Sequence, residues 1–561
     1  MPDQPHDRAA YPKPGADMVI RAGAVHTLAT GQQAQRAVAV RGDRIVAVSA
    51  DHDGLDDWIT PDTTVVDEPA ATVLPSFDDT HTHLIFAAHG AHDVPVHRAK
   101  DIAEFLRLIR ERAEITPDGE WIRTTTNWQE LNLVERRMPT ATELDTATDR
   151  HPILVKRGGH NDVVNSYALR LAGITEDTVV PPGGLIGRNT DGTLNGRLVD
   201  TAIHLVEHLL PPADDERRIS GLDLASHDYA RTGIGTVRDC AVPLPDLDVL
   251  QRTLDAGRLG TRVRALVSAM GKADPTDVDG LLDGMEPWRY RHDPWLRVWG
   301  MKFMLDGGLE GGATEEPYVG HDDFCGLLLW EPDALTEAIE RVVRRGWRVG
   351  THAFGDRAVR ILLDVYENVL ERNPSLPPRS LVIEHGGLAG PEQRARAIAL
   401  GIPVTIQQPL MHDTAEVGIG HWGPERVEHL FPAREWIDEG ALVTAGSDFP
   451  VGPFGAMPSV WGMVTRQTVA GVQGREHAIS RDEAIALHTT AAARLVGESD
   501  LRGRLTPGRL ADFTVWPTDP RRCAIDELRD LTPILTFVGG RATHDVRRAS
   551  QRGVDDGHPA I

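Results

Sequence analysis

Cysteine is scarce, with Cys240, Cys325 and Cys523 the only three in 561 residues. An odd number of cysteines so widely spaced excludes a disulfide framework and points to a reducing, cytoplasmic compartment. Long apolar runs are also missing; no stretch approaches the roughly 20 residues a helix needs to cross a bilayer. The polar, proline-containing start from Met1 to Lys13 lacks the apolar core of a signal peptide. No basic run offsets a formal net charge of −24, which repels nucleic acid and anionic lipid. The expected partner is a small-molecule substrate, with neither nucleic acid nor membrane, and a homodimer is left open. Lysine is rare: Lys13, Lys100, Lys156, Lys272 and Lys302 are the only five among 59 basic residues. Positive charge is written as arginine here, so a lysine inside an apolar strand needs a reason.

What is present reads as globular protein, 41% hydrophobic and 25% charged. The length suits a large barrel with appended pieces. Short β-type runs occupy both ends: Met18–Arg21, Arg36–Val40 and Arg44–Val48, then Leu510–Trp516 and Ile534–Val538. They predict a small discontinuous β-sandwich domain from residues 18–70 and 500–545, with a polar tail at 546–561. Between them lie eight strand candidates, beginning with Val73–Leu74 and continuing through Gly233–Val237, Val263–Val267, Leu296–Met304, Arg348–Thr351, Ser380–Ile383, Ile402–Ile406 and Ala441–Ala445. The later ones alternate with helical patterns at Ala334–Arg345, Arg357–Glu371 and Glu392–Leu400. The fold class is therefore α/β, a (β/α)₈ TIM barrel over 71–499, with a doubly wound open sheet as the alternative. A tract at about 90–225 breaks the alternation and reads as an insertion after the first barrel strand. It carries a helical pattern from Asp101 to Glu114 and a capping-box spacing from Thr140 to Glu143.

The chain is organised around Phe77-Asp78-Asp79-Thr80-His81-Thr82-His83, at the end of the first strand candidate. Residues i and i+2 of a strand project to one side, so His81 and His83 point together and can share a metal ion. In a barrel the chemistry sits at the carboxyl ends of the strands. Those ends carry, in turn, the His pair, Lys302 with Asp306, His352, Glu384-His385 and Ser447-Asp448. Four histidines, a carboxylate and a lysine at one barrel end are hard to obtain by accident.

These motifs, with Gly-His160 followed by Val164-Asn165 and the Leu505-Thr-Pro-Gly-Arg tail, resemble the metal-dependent amidohydrolase superfamily. Within it they resemble the YtcJ-like branch, which includes N-substituted formamide deformylases. The resemblance covers roughly residues 18–545. It implies a hydrolase acting on non-peptide C–N bonds, with His81 and His83 holding the more buried metal and His352 and His385 the more exposed one. It implies a carboxylated Lys302 bridging the two. Asp448 would bind metal, accept the proton of the attacking water and return it to the leaving amine; Asp448, His385 and Lys302 are thus the catalytic set. The cofactor is a divalent metal, with Zn²⁺ favoured by nitrogen-rich ligation, as one or two ions per subunit. Three departures bear on the substrate side: Asp78 puts a charge where the family is apolar, Gly308 replaces a serine, and Thr126-Asn-Trp128-Gln lacks the Gly-Trp-Asp form. By the family's spacing, Asp79 rather than Asp78 would support the His pair.

Candidates for contacting substrate are His160, Trp128, Asn161, Asp306, Gln408 and Met411. His160 stands out because Gly158-Gly159 precedes it on a permissive backbone turn. No feature selects among formamides, N-acyl amines, cyclic amides and carbamates. A non-catalytic scaffold, and a lactonase or isomerase on the same metal site, are the alternative readings.

Overall fold

Eight strands run parallel in one sheet in chain order: Phe77–Thr82 (β1), Ile234–Asp239 (β2), Arg262–Ser268 (β3), Leu296–Met304 (β4), Arg348–Ala353 (β5), Leu381–His385 (β6), Val404–Ile406 (β7) and Val443–Ala445 (β8). They belong to a computed structural model that describes residues 15–31, 33–158, 161–181, 184–211, 214–291 and 293–547. His160, the first fourteen residues and the tail from 548 lie outside the described residues. The last strand returns to the first. The Asp448 N–H donates to His81 O at 2.8 Å, and Thr80 Oγ1 donates to Ala445 O at 2.9 Å. Only glycine fits at 446, because a Cβ there would lie 2.5 Å from the His81 nitrogen.

Parallel strands need crossovers, and helices supply them. Pro332–Arg344, Asp356–Arg372 and Pro391–Ala399 follow β4, β5 and β6. The first buries Leu335, Ala338, Ile339, Val342 and Val343, an i, i+3, i+4, i+7, i+8 stripe turned to the sheet. With both faces covered, the strands are buried along almost their whole length rather than alternately. This is the expected (β/α)₈ barrel, with one correction. Val73–Leu74 is not its first strand. Thr64–Pro75 pairs with Met18–Val25 and with Phe513–Trp516, and only Ser76 separates it from β1. The apolar run crosses that boundary without a sequence signal.

The strand Thr64–Pro75 is central to a seven-stranded sheet drawn from both ends of the chain, with Met18–Val25, Gln35–Arg41 and Arg44–Ser49 on one side and Phe513–Trp516, Leu535–Val538 and Arg541–Asp545 on the other. An Arg44–Leu510 bridge and an Ile45 N–H to Arg509 O bond of 2.9 Å join its edge strand to the segment leading into Phe513. The sheet thereby curls around Ile20, Val38, Val40, Val73 and Phe513. Between β1 and β2 the chain builds a separate five-stranded sheet, ordered Ile122–Arg123, Ile153–Arg157, Asn161–Val164, Leu194–Asp200 and Gly184–Arg188. The Thr140–Glu143 capping box forms there as read.

Ion pairs close the barrel floor. Arg502 donates to Asp78 at 2.6 Å and to Glu498 at 2.5 Å, while Arg264 donates to Glu498 at 2.7 Å and Arg262 to Asp512 at 2.8 Å. All six side chains are buried. Asp78 is tolerated at an apolar position because Arg502 meets it. His488, also buried, donates from Nδ1 to Asp78 O at 2.7 Å and accepts at Nε2 from Ser459 Oγ at 2.9 Å.

Burial lowers His488 to about 4. The folded state then binds this proton less readily than the unfolded chain, so the stability its neutral form contributes is present above pH 6.5 and is lost as pH falls towards 4. The full difference is about 3 kcal/mol. In denaturant melts across that window, a His488→Asn variant, which has no group to titrate there, is expected to lose less stability than the wild type. Parallel losses in the two proteins would refute the assignment.

Candidate metal and catalytic centre

At the carboxyl end of β1, His83 Nε2 lies 2.9 Å and His81 Nε2 3.4 Å from the same Asp448 oxygen. Lys302 Nζ, from β4, approaches His81 Nε2 at 3.4 Å. The His385 ring centroid is 4.6 Å from that of His81 and 4.3 Å from that of His352. All six side chains suggested by the sequence thus line the same cavity, with the donor atoms of His81, His83 and Asp448 gathered most tightly. Two strand-end residues there adopt the left-handed backbone region, His385 at φ 76° and Asp448 at φ 60°. Such strain in non-glycine residues is stored at functional sites. At His385 it turns the chain so that neighbouring Glu384 and His385 both reach His81.

Glu384 accepts a 2.6 Å hydrogen bond from His81 Nδ1 and takes another, also 2.6 Å, from Arg238 of β2. Neither the Asp78 nor the Asp79 carboxylate hydrogen-bonds to the ring of His81 or His83. Asp79 accepts from Ser447 N–H at 3.0 Å, Ser447 Oγ at 2.6 Å and the His81 N–H at 3.3 Å, so it fixes backbone rather than rings. With Nδ1 donating to Glu384, Nε2 is the His81 nitrogen turned to the centre.

The charges suit a cation. Burial, and then the Lys302 charge, push His352 down to about 3. Burial, with the neighbouring His352 and His81, holds His385 well below the usual histidine range. Both rings are therefore neutral donors. Burial works against the Asp448 carboxylate, but hydrogen bonds from His81 and His83 outweigh it and keep the group ionised. Lys302 is 3% exposed, and no carboxylate among the described residues lies within 4.0 Å of its ammonium.

The chain matches the Amidohydrolase family over residues 65–544. The chain belongs to this family. It is 29% identical to an N-substituted formamide deformylase of Arthrobacter pascens over 93% of this chain and 97% of that protein. It is 26% identical to a putative amidohydrolase, YtcJ, of Bacillus subtilis strain 168, over 87% and 91%. A metal-dependent hydrolase from Pyrococcus furiosus, 22% identical, superposes with a TM-score of 0.71 over 90% of this chain and all of that one.

In this amidohydrolase the centre forms one end of a cavity of about 540 Å³. Phe86, Met270, Met304, Leu309, Val417 and Val451 supply apolar wall, and Arg123, Lys156 and Arg157 supply charge. Each cation is already paired: Arg123 with Asp93 at 2.9 Å, Lys156 with Glu207 at 2.9 Å, and Arg157 with Glu130 at 2.7 Å. None of the five described substrate candidates lines the cavity, although Asp306 comes within 3.4 Å of His352 Nε2. Trp128 donates its indole N–H to Lys156 O, Asn161 accepts from Arg197, and Gln408 accepts from Arg466. Met411 is fully buried, under the Gln408 amide. Asp306 accepts the backbone N–H groups of Ala313, Phe354 and Gly355, pinning the loop after β4 to the end of β5. The sixth, His160, is outside the described residues. The residues that do line the cavity come from strand ends, from the helices Leu84–Gly90 and Gln408–Trp422 and from the loops between, and no periodicity signals which of them face inward. No described helix is long and apolar enough to cross a membrane.

Proposed function

We propose that this amidohydrolase cleaves the C–N bond of an N-formyl or related small amide with the help of one or two divalent ions, Zn²⁺ foremost. The observation that carries the reading is the convergence of His81, His83 and Asp448 donor atoms beside a buried lysine that no carboxylate neutralises. The buried, partnerless Nδ1 atoms of His83 and His385 fit the same demand for a cation. His81, His83, His352, His385 and Asp448 would hold the ions, with Lys302 bridging them as its carbamate. When bound, such an ion lowers the pKa of water and polarises a scissile carbonyl. Asp448 is ionised and placed to take a proton at its carboxylate and deliver it to the departing amine. A cavity whose charges are already paired favours an uncharged substrate with an apolar substituent. The formamide deformylase name of the Arthrobacter relative supports the C–N assignment.

Elemental analysis followed by turnover assays on N-formyl, N-acyl, carbamate and lactone compounds tests this. Chelation should abolish activity and added Zn²⁺ or Mn²⁺ should restore it, with amides turned over. Turnover of lactones alone would favour the lactonase reading, and inertness of metal-loaded protein would favour the scaffold.

A further inference from the structure

Arg238 lies wholly buried on β2, yet its strongest hydrogen bonds run to β1 and β6. Besides donating to Glu384, it donates to Thr80 O at 3.0 Å, and its guanidinium stacks over Trp299 at 4.5 Å. The room it shares with Glu384 exists because position 350 on β5 is glycine. A Cβ there would fall 2.1 Å from Glu384 Oε1 and 2.8 Å from Arg238 Nη2. Four strands therefore contribute to one contact on one face of His81.

We propose that Arg238 and Glu384, in the space left by Gly350, form a positioning pair that fixes the proton of His81 on Nδ1 and reserves Nε2 for the metal. The proposal rests on the metal-centre reading above. Its chemistry is directional. Glu384 offers one oxygen to each partner, and arginine can only donate. If residue 384 were glutamine, its single carbonyl oxygen would have to face Arg238, leaving the amide N–H₂ against His81. Nδ1 would then have to accept, and the ring proton would move to Nε2, the nitrogen that faces Asp448 and Lys302. A substitution that keeps size and shape thus blocks the ligand atom, and Arg238 is what forces the block.

The test is competition between full-length protein and a chromophoric chelator for Co²⁺ and Zn²⁺, with thermal melts to confirm folding. Glu384→Gln should weaken binding of at least one ion by about 10–100-fold, the range seen when an outer partner of a ligating histidine is lost. Adding Arg238→Met frees the amide to turn its oxygen towards His81, so the double variant should bind about tenfold more tightly than the single one. A merely structural role predicts the reverse order. Should the double variant not fold, Gly350→Ala decides, since its Cβ displaces the carboxylate without changing charge and should also weaken binding. Wild-type affinity in Glu384→Gln, a double variant no tighter than the single, or an unaltered Gly350→Ala would each overturn the pair. A wild-type chain that takes up neither metal would overturn the metal centre itself.

Discussion

Lys302→Ala is expected to abolish turnover and to lower the metal content of the purified protein. The side chain sits at the end of an apolar strand between Met301 and Phe303, 3% exposed, with its Nζ 3.4 Å from the His81 nitrogen that faces the centre. An ammonium at that point would repel every cation the surrounding histidines attract. A lysine in its neutral amine form can capture CO₂, releasing one proton and leaving an anionic carbamate. If Lys302 bridges two ions as proposed, the activity loss should exceed the roughly 100-fold that removing an outer partner of a ligand causes. Short carboxylic acids, small enough for the vacated space, should restore part of the rate. Density for a bare lysine in fully metal-loaded protein would sink the bridge, as would an alanine variant with full metal content and near-normal turnover.

The second large effect concerns Asp448. Its carboxylate receives both members of the β1 pair, and the left-handed backbone at this residue aims it inward. Asp448→Asn retains the volume and removes the base. If it carries the proton from water to the amine, kcat should fall on the order of 10³-fold, within the span of general acid–base contributions. KM should change little, because the apolar wall that receives the substrate is untouched. Rates must be compared at matched metal content, which elemental analysis supplies. A metal-matched variant within tenfold of wild type would remove Asp448 from the proton path.

The barrel and its metal-facing residues were legible because each is a local signal. An i, i+2 histidine pair after an apolar run, a lysine in a chain that avoids lysine, and residues ending successive strands all survive in one dimension. Glu384 and Arg238 did not, although both were in plain view. Their pairing spans 146 positions, and nothing near either residue tells which side chain will face which. The substrate candidates failed for a related reason. Trp128, Asn161 and Gln408 looked available because polar or aromatic groups in loops often are, but each is claimed by a partner 28, 36 or 58 residues away. The start of β1 was misplaced by a short step, since Thr72 to Phe77 is continuous β-type sequence whose two halves join different sheets.

The ion-paired floor has a consequence for traffic. With Asp78, Arg502, Glu498 and Arg264 filling the amino end of the barrel, the described cavity meets solvent at the opposite end, beside the exposed Phe86 and Val451. Hydrolysis makes two fragments from one molecule, and both would leave by that end. On the amide reading proposed above, the fragment carrying the apolar substituent would occupy the outer part of the chamber and leave first. The small acid at the inner end would then be held until that exit clears. Added product of the outer kind should therefore compete with substrate, whereas the small acid should inhibit without competing for the opening.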